Sequence, residues 1–357
     1  MANGKRRIAV VLFNLGGPDS PRAVRPFLFN LFNDRAIIGA PGPVRWLLAQ
    51  YISRRRAALA TANYAYLGGA SPLLANTERQ ARALEAALAG TDEVRCFIAM
   101  RYWHPFADET VQDVKAFGPD HVVLLPLYPQ YSAATSGSSI DDWGRAARQA
   151  DLNVPTRTVC CYPELPGFVD VMAGLTAEAW QRASGAGTPR ILFSAHGLPE
   201  RNIAAGDPYQ WQVERSAGLI AAAVRDRLGH EPDWRISYQS RVGRLVWIGP
   251  YTEAEVERAA EEGRPLVVVP LVFVSEHIET LVELDIEYRD LALRHGAPAY
   301  ERVRTVNEDE PFIDALAALV RAASGPGPMI ECGAGGRLCP SEWLRCPCSA
   351  ESLRAEG

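Results

Sequence analysis

Eight short apolar runs recur along the chain, and segments with the periodicity of an amphipathic helix lie between most of them. The apolar runs span residues 8–14, 94–102, 121–128, 155–161, 190–196, 235–239, 266–275 and 300–306. The helical segments span residues 76–89, 142–150, 168–184, 209–228, 252–262 and 310–323. Strands that alternate with helices favour parallel sheets, because a parallel connection needs a crossover that a helix usually supplies. The sequence therefore predicts an α/β fold with parallel sheets flanked by helices.

A second series of strands that alternate with helices begins at residue 190. This repetition predicts two similar α/β domains that face each other across a cleft. Residues 162–167 are rich in turn formers and mark the boundary. We expect an N-terminal domain over residues 1–164 and a C-terminal domain over residues 165–324. Residues 325–357 begin with Gly-Pro-Gly-Pro and hold few core residues, so this tail needs a metal or a partner to become ordered.

The net charge of this 357-residue chain is −5, so the chain lacks the basic character that favours nucleic acid. Its apolar runs are all shorter than the ~20 residues of a membrane-spanning helix. Lys5, Arg6 and Arg7 precede an apolar stretch, as in a signal peptide, but that stretch is short and leads directly into an Asn-Leu-Gly-Gly-Pro turn. We interpret it as a first strand and expect the protein in the cytoplasm.

The segment 275–288 gathers five carboxylates directly after an apolar run. On an ideal helix four of them share an arc of roughly 80°: Glu276, Glu279, Glu283 and Glu287. Each like-charge pair four residues apart destabilises a helix by about 0.2–0.5 kcal/mol. A solvated helix face is one explanation. A functional row that binds a cation or transfers protons is the other, because the first cation after Glu276 is Arg289 and ligands bind beyond the ends of parallel strands.

Two other strand ends carry side chains suited to catalysis or binding. His196 ends the run 190–196, and a neutral imidazole accepts a proton near pH 7. Arg101 and Tyr102 end another run and offer a cation and an aromatic face to an anionic aromatic ligand. A structural histidine and ordinary packing are the alternatives.

Residues 39–56 are apolar and aromatic and end in three consecutive arginines. A core helix with a charged end explains this composition. The alternative is a lip that contacts a membrane or a hydrophobic ligand, with the arginines at lipid head groups.

Cysteine usage predicts a metal centre. Four of the seven cysteines crowd the end of the chain: Cys332, Cys339, Cys346 and Cys348. Cys160 and Cys161 are adjacent, and Cys96 lies alone in an apolar run. Because cytosolic chains rarely use disulfides, such a cluster of thiols favours a metal over a covalent bridge.

Five motifs, in this order and at these distances, resemble the ferrochelatases, the enzymes that insert ferrous iron into protoporphyrin IX. They are Asn-Leu-Gly-Gly-Pro at 14–18, Arg-Tyr at 101–102, and the segments 194–199, 239–243 and 275–288. Tyr66 and Ser71-Pro72 also follow the family pattern. The resemblance covers residues 7–324 and implies two Rossmann-like domains of the class II chelatase type.

The resemblance assigns the chemistry residue by residue. His196 matches the active-site histidine that takes protons from the pyrrole nitrogens or meets the metal, and Glu279 matches the essential glutamate opposite it. Glu283 and Glu287 match the acidic row that leads toward solvent. Glu276 stands where several members have aspartate. These oxygen and imidazole ligands bind Fe²⁺ loosely enough to release it.

The porphyrin-binding residues of the family correspond to Arg101, Tyr102, Tyr66 and Ile38. Ile38 departs from the animal enzymes, which have methionine there. A flat porphyrin shields its nitrogen lone pairs, so the metal enters only when a pyrrole tilts and two N–H protons leave. The site must therefore distort an apolar disc, supply a base and carry protons away.

Some ferrochelatases also hold a [2Fe-2S] cluster through four thiolates. Cys339, Cys346 and Cys348 resemble the tail of the cluster-bearing bacterial members, whose fourth ligand is internal. Cys161 or Cys160 would serve as that ligand here.

Three other arrangements of the thiols stay open. Cys332 is the alternative fourth ligand, which would place all four ligands in the tail. A zinc site is the second, and free thiols on a disordered tail are the third.

The resemblance implies a lyase that inserts Fe²⁺ into protoporphyrin IX to form protohaem at the last step of haem biosynthesis, with release of two protons. The implied partners are protoporphyrin IX and ferrous iron, with peripheral contact at the inner face of the membrane and no nucleic acid. A homodimer stays open, because family members occur as monomers and as dimers.

Two other functions compete with this one. A coproporphyrin III ferrochelatase would share most of the motifs. A non-catalytic haem or porphyrin carrier with a redox-sensing cluster belongs to another class, and the presence of both His196 and Glu279 argues against it.

Overall fold

The computed structural model describes residues 5–243, 245–333 and 335–349. The chain divides into two compact units, residues 1–161 with 316–335 and residues 162–315 with 336–357. Each unit contains a parallel sheet flanked by helices, so the predicted α/β class is confirmed. The three predicted segments, 1–164, 165–324 and 325–357, stay predictions, and their residues 1–4, 244, 334 and 350–357 lie outside the described residues.

The first unit is built on five parallel strands. They are β1 (Arg7–Asn14), β2 (Glu93–Met100), β3 (His121–Pro126), β4 (Thr156–Cys161) and β9 (Ile330–Cys332), in the sheet order β2-β1-β3-β4-β9. The helices are α1 (Val24–Phe32), α2 (Gly42–Ala65), α3 (Leu73–Ala87), α4 (Ala107–Phe117) and α5 (Ser138–Gln149), with a π-helical turn at Ala133–Gly137. The side chains of β1 are buried from Ile8 onward, as expected for a central strand covered on both faces.

The second unit has four parallel strands. They are β5 (Arg190–His196), β6 (Asp233–Gln239), β7 (Leu266–Pro270) and β8 (Tyr300–Arg302), in the order β6-β5-β7-β8. The helices are α6 (Pro166–Ala183), α7 (Glu200–Ala204), α8 (Tyr209–Leu228), α9 (Thr252–Glu261) and α10 (Tyr288–Arg294), with a 3₁₀ turn at Ser184–Ala186 and a π-helix at Glu279–Glu287. Helix α11 (Glu310–Ala323) continues from this unit into the first at residue 316.

Two differences from the predicted elements have local causes. The run 266–275 is a strand only to Pro270, because proline has no N–H with which to continue a ladder. Strand β9 lies within the predicted tail, pairs parallel with β4, and was not predicted because a three-residue strand is too short to show alternation.

Helix α2 is not the core helix that its composition allowed. It buries only Ala49, Ser53 and Tyr64 of its 24 residues. Several large apolar side chains on it are exposed, with Leu47 at 62%. Among the helices of the described ranges, none is both long and apolar enough to cross a membrane.

Gly16 allows the turn after β1 to pack against the turn after β2. Its φ is +85°, and an added Cβ would lie 2.9 Å from the Trp103 nitrogen and 3.2 Å from the Met100 Cβ. The two turns are joined by hydrogen bonds from the N–H groups of Arg101 and Tyr102 to the carbonyls of Asn14 and Leu15. The first glycine of the Asn-Leu-Gly-Gly-Pro motif thus has a steric reason.

We predict that Gly16→Ala lowers the free energy of unfolding by about 2 kcal/mol, since the left-handed backbone and the close Trp103 backbone both oppose a Cβ. Urea denaturation measures the change. Gly39→Ala is the matched control, because no atom lies within 4 Å of a Cβ built there. Equal unfolding midpoints for the two variants would contradict the steric account.

Candidate active site

His196 and Glu279 meet in the second unit. His196 is the last residue of β5, and its Nδ1 lies 2.9 Å from Glu279 Oε2. Glu279 opens the π-helix that follows β7, the neighbour of β5 in the sheet. The imidazole stays 39% exposed, so it is held on one side and accessible on the other.

Each member of this pair changes the proton affinity of the other. Burial disfavours the imidazolium, but the charge and hydrogen bond of Glu279, with a further contribution from Glu283, raise the pKa of His196. Burial would also raise the pKa of Glu279, but His196, His277 and Gln239 together lower it to about 2. Glu279 is therefore a carboxylate throughout the physiological range, and His196 is a stronger base than an isolated imidazole.

Glu283 lies four residues after Glu279 in the π-helix, and its pKa is raised rather than lowered. Burial and the charge of Glu279 raise the pKa of Glu283 to about 7, against hydrogen bonds that favour its ionised form. The N–H and hydroxyl of Ser240 donate to its carboxylate at 3.1 and 2.5 Å, and the Tyr288 hydroxyl donates at 3.1 Å. Glu283 therefore exchanges its proton near neutral pH.

The acidic row does not have the ideal α-helical form assumed from the sequence. Residues 279–287 form a π-helix, a conformation that is found frequently at functional sites. Glu287 ends it and is exposed. The expectation of four carboxylates on one helical face is wrong, because Glu276 precedes the helix.

Glu276 takes part in a separate, mostly buried ion pair. Arg302 Nη1 lies 2.8 Å from its Oε1, and the Thr305 N–H donates to the same oxygen at 3.1 Å. The Thr280 hydroxyl donates to the other carboxylate oxygen. These contacts fix the backbone on either side of Glu279.

Several residues of this site were not predicted by sequence reasoning. Gln239 and Ser240 belong to a quoted motif, and their position at the end of β6 could have indicated a role beside β5. Tyr288 closes the motif 275–288, but no role was assigned to it, and Arg302 gave no signal because it lies on a three-residue strand. Tyr209 was also missed, and its hydroxyl donates to the main-chain carbonyl of His196 at 2.8 Å.

Two of the porphyrin-binding candidates of the first unit, Arg101 and Tyr102, meet at Asp34. The Tyr102 hydroxyl donates to Asp34 at 2.8 Å, and Arg101 Nη2 lies 3.0 Å from the same carboxylate. Tyr102 is only 1% exposed, whereas Tyr66 is 67% exposed and Ile38 is half-buried. Asp34 therefore holds the Arg101 guanidinium in one position.

Apart from Cys96, the thiols lie in two groups. Three buried cysteines come together in the part of the tail that belongs to the second unit, and hydrogen bonds from Cys339 and then Cys348 lower the pKa of Cys346 to about 3. In the first unit Cys161 of β4 is the register partner of Cys332 of β9. Within the described ranges no set of three or more His, Cys, Asp or Glu side chains has the arrangement of a metal site.

Comparison with known proteins identifies the family. The family model described as Ferrochelatase matches residues 7–324. The chain belongs to the ferrochelatase family. Curated ferrochelatases of Phenylobacterium zucineum and Caulobacter vibrioides are 54% and 52% identical to it, each over 96% of this chain and 98% of the relative. A structure of SirB from Bacillus subtilis with Fe³⁺ aligns with a TM-score of 0.49 at 12% identity, covering 90% of this chain and 96% of that one.

Membership of the ferrochelatase family makes the chain a metal-chelating enzyme of haem synthesis that takes a porphyrin and ferrous iron as substrates. The expected ferrochelatase fold and activity are thus confirmed. The roles of individual residues stay predictions.

The raised pKa of Glu283 predicts a pH-dependent stability. A carboxyl whose pKa in the folded state is about 7 and whose ordinary pKa is 4.5 contributes its full stabilisation below pH 4.5, and this contribution is lost as pH rises through 7. Between pH 5 and pH 8 the unfolding free energy of the wild type should fall by about 2 kcal/mol relative to Glu283→Gln.

Urea denaturation at several pH values measures this difference. Glu287→Gln removes an exposed carboxylate of the same helix. Its unfolding free energy should change with pH in the same way as that of the wild type. A Glu283→Gln curve that also runs parallel would show that Glu283 titrates as an ordinary glutamate.

Proposed function

We propose that this ferrochelatase inserts Fe²⁺ into protoporphyrin IX, forming protohaem with release of two protons. The contact between His196 and Glu279, followed by Glu283, carries the proposal. It supplies the base, the metal ligands and the start of a proton path.

His196 is the proposed base. Its Nδ1 is engaged by Glu279, so Nε2 is the atom that we assign to the pyrrole N–H. Glu279 fixes the orientation of the ring and stabilises the imidazolium that forms, in the way a carboxylate orients any catalytic histidine. The same two side chains offer one nitrogen and one carboxylate to the incoming Fe²⁺, a set that binds ferrous iron without retaining it.

Glu283 and Glu287 are proposed to carry the protons away. Glu283 has a pKa of about 7, so it accepts and releases a proton at neutral pH with little driving force in either direction. Glu287 is exposed at the end of the π-helix and delivers the proton to solvent. For Glu276 we propose a supporting part in the metal and proton path, since its contacts with Arg302 and Thr280 hold the first turn of the π-helix.

The porphyrin contacts are proposed for Arg101, Tyr102, Tyr66 and Ile38. Arg101 is 23% exposed and is oriented by Asp34 and Ser138, which suits a cation that must meet a propionate in one geometry. Tyr66 is exposed and Ile38 half-buried, so both offer apolar surface. Tyr102 contributes indirectly, because its hydroxyl holds Asp34.

We predict that His196→Ala lowers kcat for iron insertion by about 10²–10⁴-fold and leaves porphyrin binding intact. Anaerobic turnover of Fe²⁺ with protoporphyrin IX, beside coproporphyrin III, is followed by the loss of free-porphyrin fluorescence. His295→Ala is the control, since that imidazole is exposed and pairs only with Glu257, at 3.8 Å, among the ion pairs of the described residues.

Each outcome of this assay decides between functions. Retained turnover in His196→Ala rejects the assigned base. If the wild type turns over coproporphyrin III faster than protoporphyrin IX, coproporphyrin III is the substrate instead. Porphyrin binding without wild-type turnover favours the carrier.

We further propose that the enzyme is of the [2Fe-2S] type, with Cys339, Cys346 and Cys348 as three ligands and Cys161 or Cys160 as the fourth. The donor chemistry supports the proposal, because a metal takes thiolates and the hydrogen bonds from Cys339 and Cys348 lower the pKa of Cys346 to about 3. Cys332, the alternative fourth ligand, is the register partner of Cys161. When bound, the cluster would supply a redox centre and a cross-link that orders the tail.

Cys346→Ser should remove the visible absorption of the cluster from the purified protein. Cys96→Ser is the control, since Cys96 lies on β2 among neither group of thiols. An unchanged spectrum in Cys346→Ser would reject the tail assignment. Cys161→Ser, Cys160→Ser and Cys332→Ser then identify the fourth ligand, because the cluster should be lost in only one of the three.

Helix α2 is proposed to rest on a membrane surface. Its exposed apolar side chains include Trp46, Leu47 and Tyr51, and three arginines at 54–56 follow them. Apolar side chains beside a basic cluster are typical of peripheral membrane helices.

A further inference from the structure

The tail of the second unit packs on the chain that follows His196. The side-chain amide of Gln212, on α8, donates to Cys339 Sγ at 3.1 Å. The Arg345 N–H donates to the Gly206 carbonyl at 3.0 Å, between α7 and α8. A Cβ on Gly206, whose φ is +91°, would lie 3.0 Å from the Leu344 nitrogen. The tail thus contacts both the loop before α8 and the first turn of α8.

The same first turn of α8 holds His196. The Tyr209 hydroxyl donates to the His196 carbonyl at 2.8 Å, and Tyr209 is the first residue of the helix. Gln212 follows three residues later, so both side chains project from the same side of the helix. Both are buried, with Gln212 fully inaccessible to solvent, and a shift of either side chain must therefore move its neighbours.

Hydrogen bonds within the tail connect the residues of its loop. The Arg337 guanidinium donates to the carbonyls of Cys339, Pro340 and Trp343, at 2.9, 2.8 and 3.2 Å. The N–H of Cys346 donates to the Trp343 carbonyl at 3.0 Å. Because these bonds connect the residues around the thiols, a displacement of one thiol is carried through the loop rather than absorbed by it.

We propose that Gln212 and Tyr209 are positioning residues that couple the tail thiols to the imidazole of His196. The inference rests on the proposed roles of His196 and of the tail cysteines. A sulfur that ligates a metal carries negative charge and accepts a stronger hydrogen bond than a neutral thiol does. Whether Cys339 ligates a metal therefore determines the strength of its hydrogen bond with Gln212, which holds the first turn of α8. Tyr209 lies in the same turn, so a shift of that turn moves the His196 carbonyl that its hydroxyl holds.

The coupling has two consequences that do not depend on each other. Hydrogen bonds to ligating sulfurs stabilise the reduced form of an iron–sulfur cluster, so removal of the Gln212 amide should shift its reduction potential to more negative values. Release of the His196 carbonyl should misplace the imidazole, and kcat should fall about tenfold while KM for the porphyrin stays unchanged.

The test compares Gln212→Leu and Tyr209→Phe with two matched controls in the full-length holoenzyme. Gln210→Leu removes an amide from the same turn whose partner is Glu214, and Tyr251→Phe removes a hydroxyl that donates to the Trp247 carbonyl. The readouts are the reduction potential, kcat and KM, and the ring resonance of His196 in ¹H–¹³C spectra at fixed pH. The chain has six histidines, and the loss of one signal in His196→Asn assigns that resonance.

Gln212→Leu should move both the potential and the His196 resonance, whereas Tyr209→Phe should move the resonance alone. Removal of the cluster by a chelator should shift the wild-type resonance and should shift it far less in Gln212→Leu, because the connection is already broken. An unchanged His196 resonance in both variants overturns the proposal, as does a chelator-induced shift of equal size in wild type and Gln212→Leu.

These outcomes stay distinct from a failure of the proposed function. If wild-type protein shows no cluster absorption, the cofactor assignment fails, and the resonances of Gln212→Leu and Tyr209→Phe still test the connection. If His196→Ala keeps its activity, the base assignment fails while the same resonance shifts stand.

Discussion

The hydrogen bond between His196 and Glu279 is the interaction on which the rest of the site depends. A carboxylate that is removed from water needs a partner, and the imidazole supplies a hydrogen bond to it. The sheet makes this contact available, since β5 and β7 are neighbours and their carboxyl ends lie at one edge. Once the pair is in place, the remaining carboxylates must be kept apart from it or held neutral.

The structure resolves the crowding of acids by giving each a different environment. Glu276 pairs with Arg302, and Asp285 is shared between Arg302 and Arg289. Burial and the charge of Glu279 raise the pKa of Glu283 to about 7, against the hydrogen bonds that it receives. Two neighbouring carboxyls thus have separate pKa values, about 2 for Glu279 and about 7 for Glu283, so the two do not compete as equal carboxylates near neutral pH.

The sequence predicted what depends on pattern and position. Alternating apolar runs fixed the α/β class, and the residues at strand ends directed attention to His196 and Arg101. What it did not predict depends on local backbone geometry or on partners distant in sequence. The π-helix at Glu279–Glu287 cannot be distinguished from an α-helix by periodicity over nine residues, and the pairing of Glu276 with Arg302 joins residues 26 apart. Tyr209 is ordinary in the sequence, and its importance appears only through the His196 carbonyl.

Packing around the tail brings the thiol-bearing segment against the helix that holds the His196 carbonyl. A segment with few apolar residues cannot stabilise itself by burial, so its order depends on the few strong contacts it makes. Two of those contacts lie at Gln212 and Gly206, within one turn of the residue that holds the His196 carbonyl. An ordered tail therefore restrains the same backbone that orients the imidazole, and the free energy that orders the one also contributes to positioning the other.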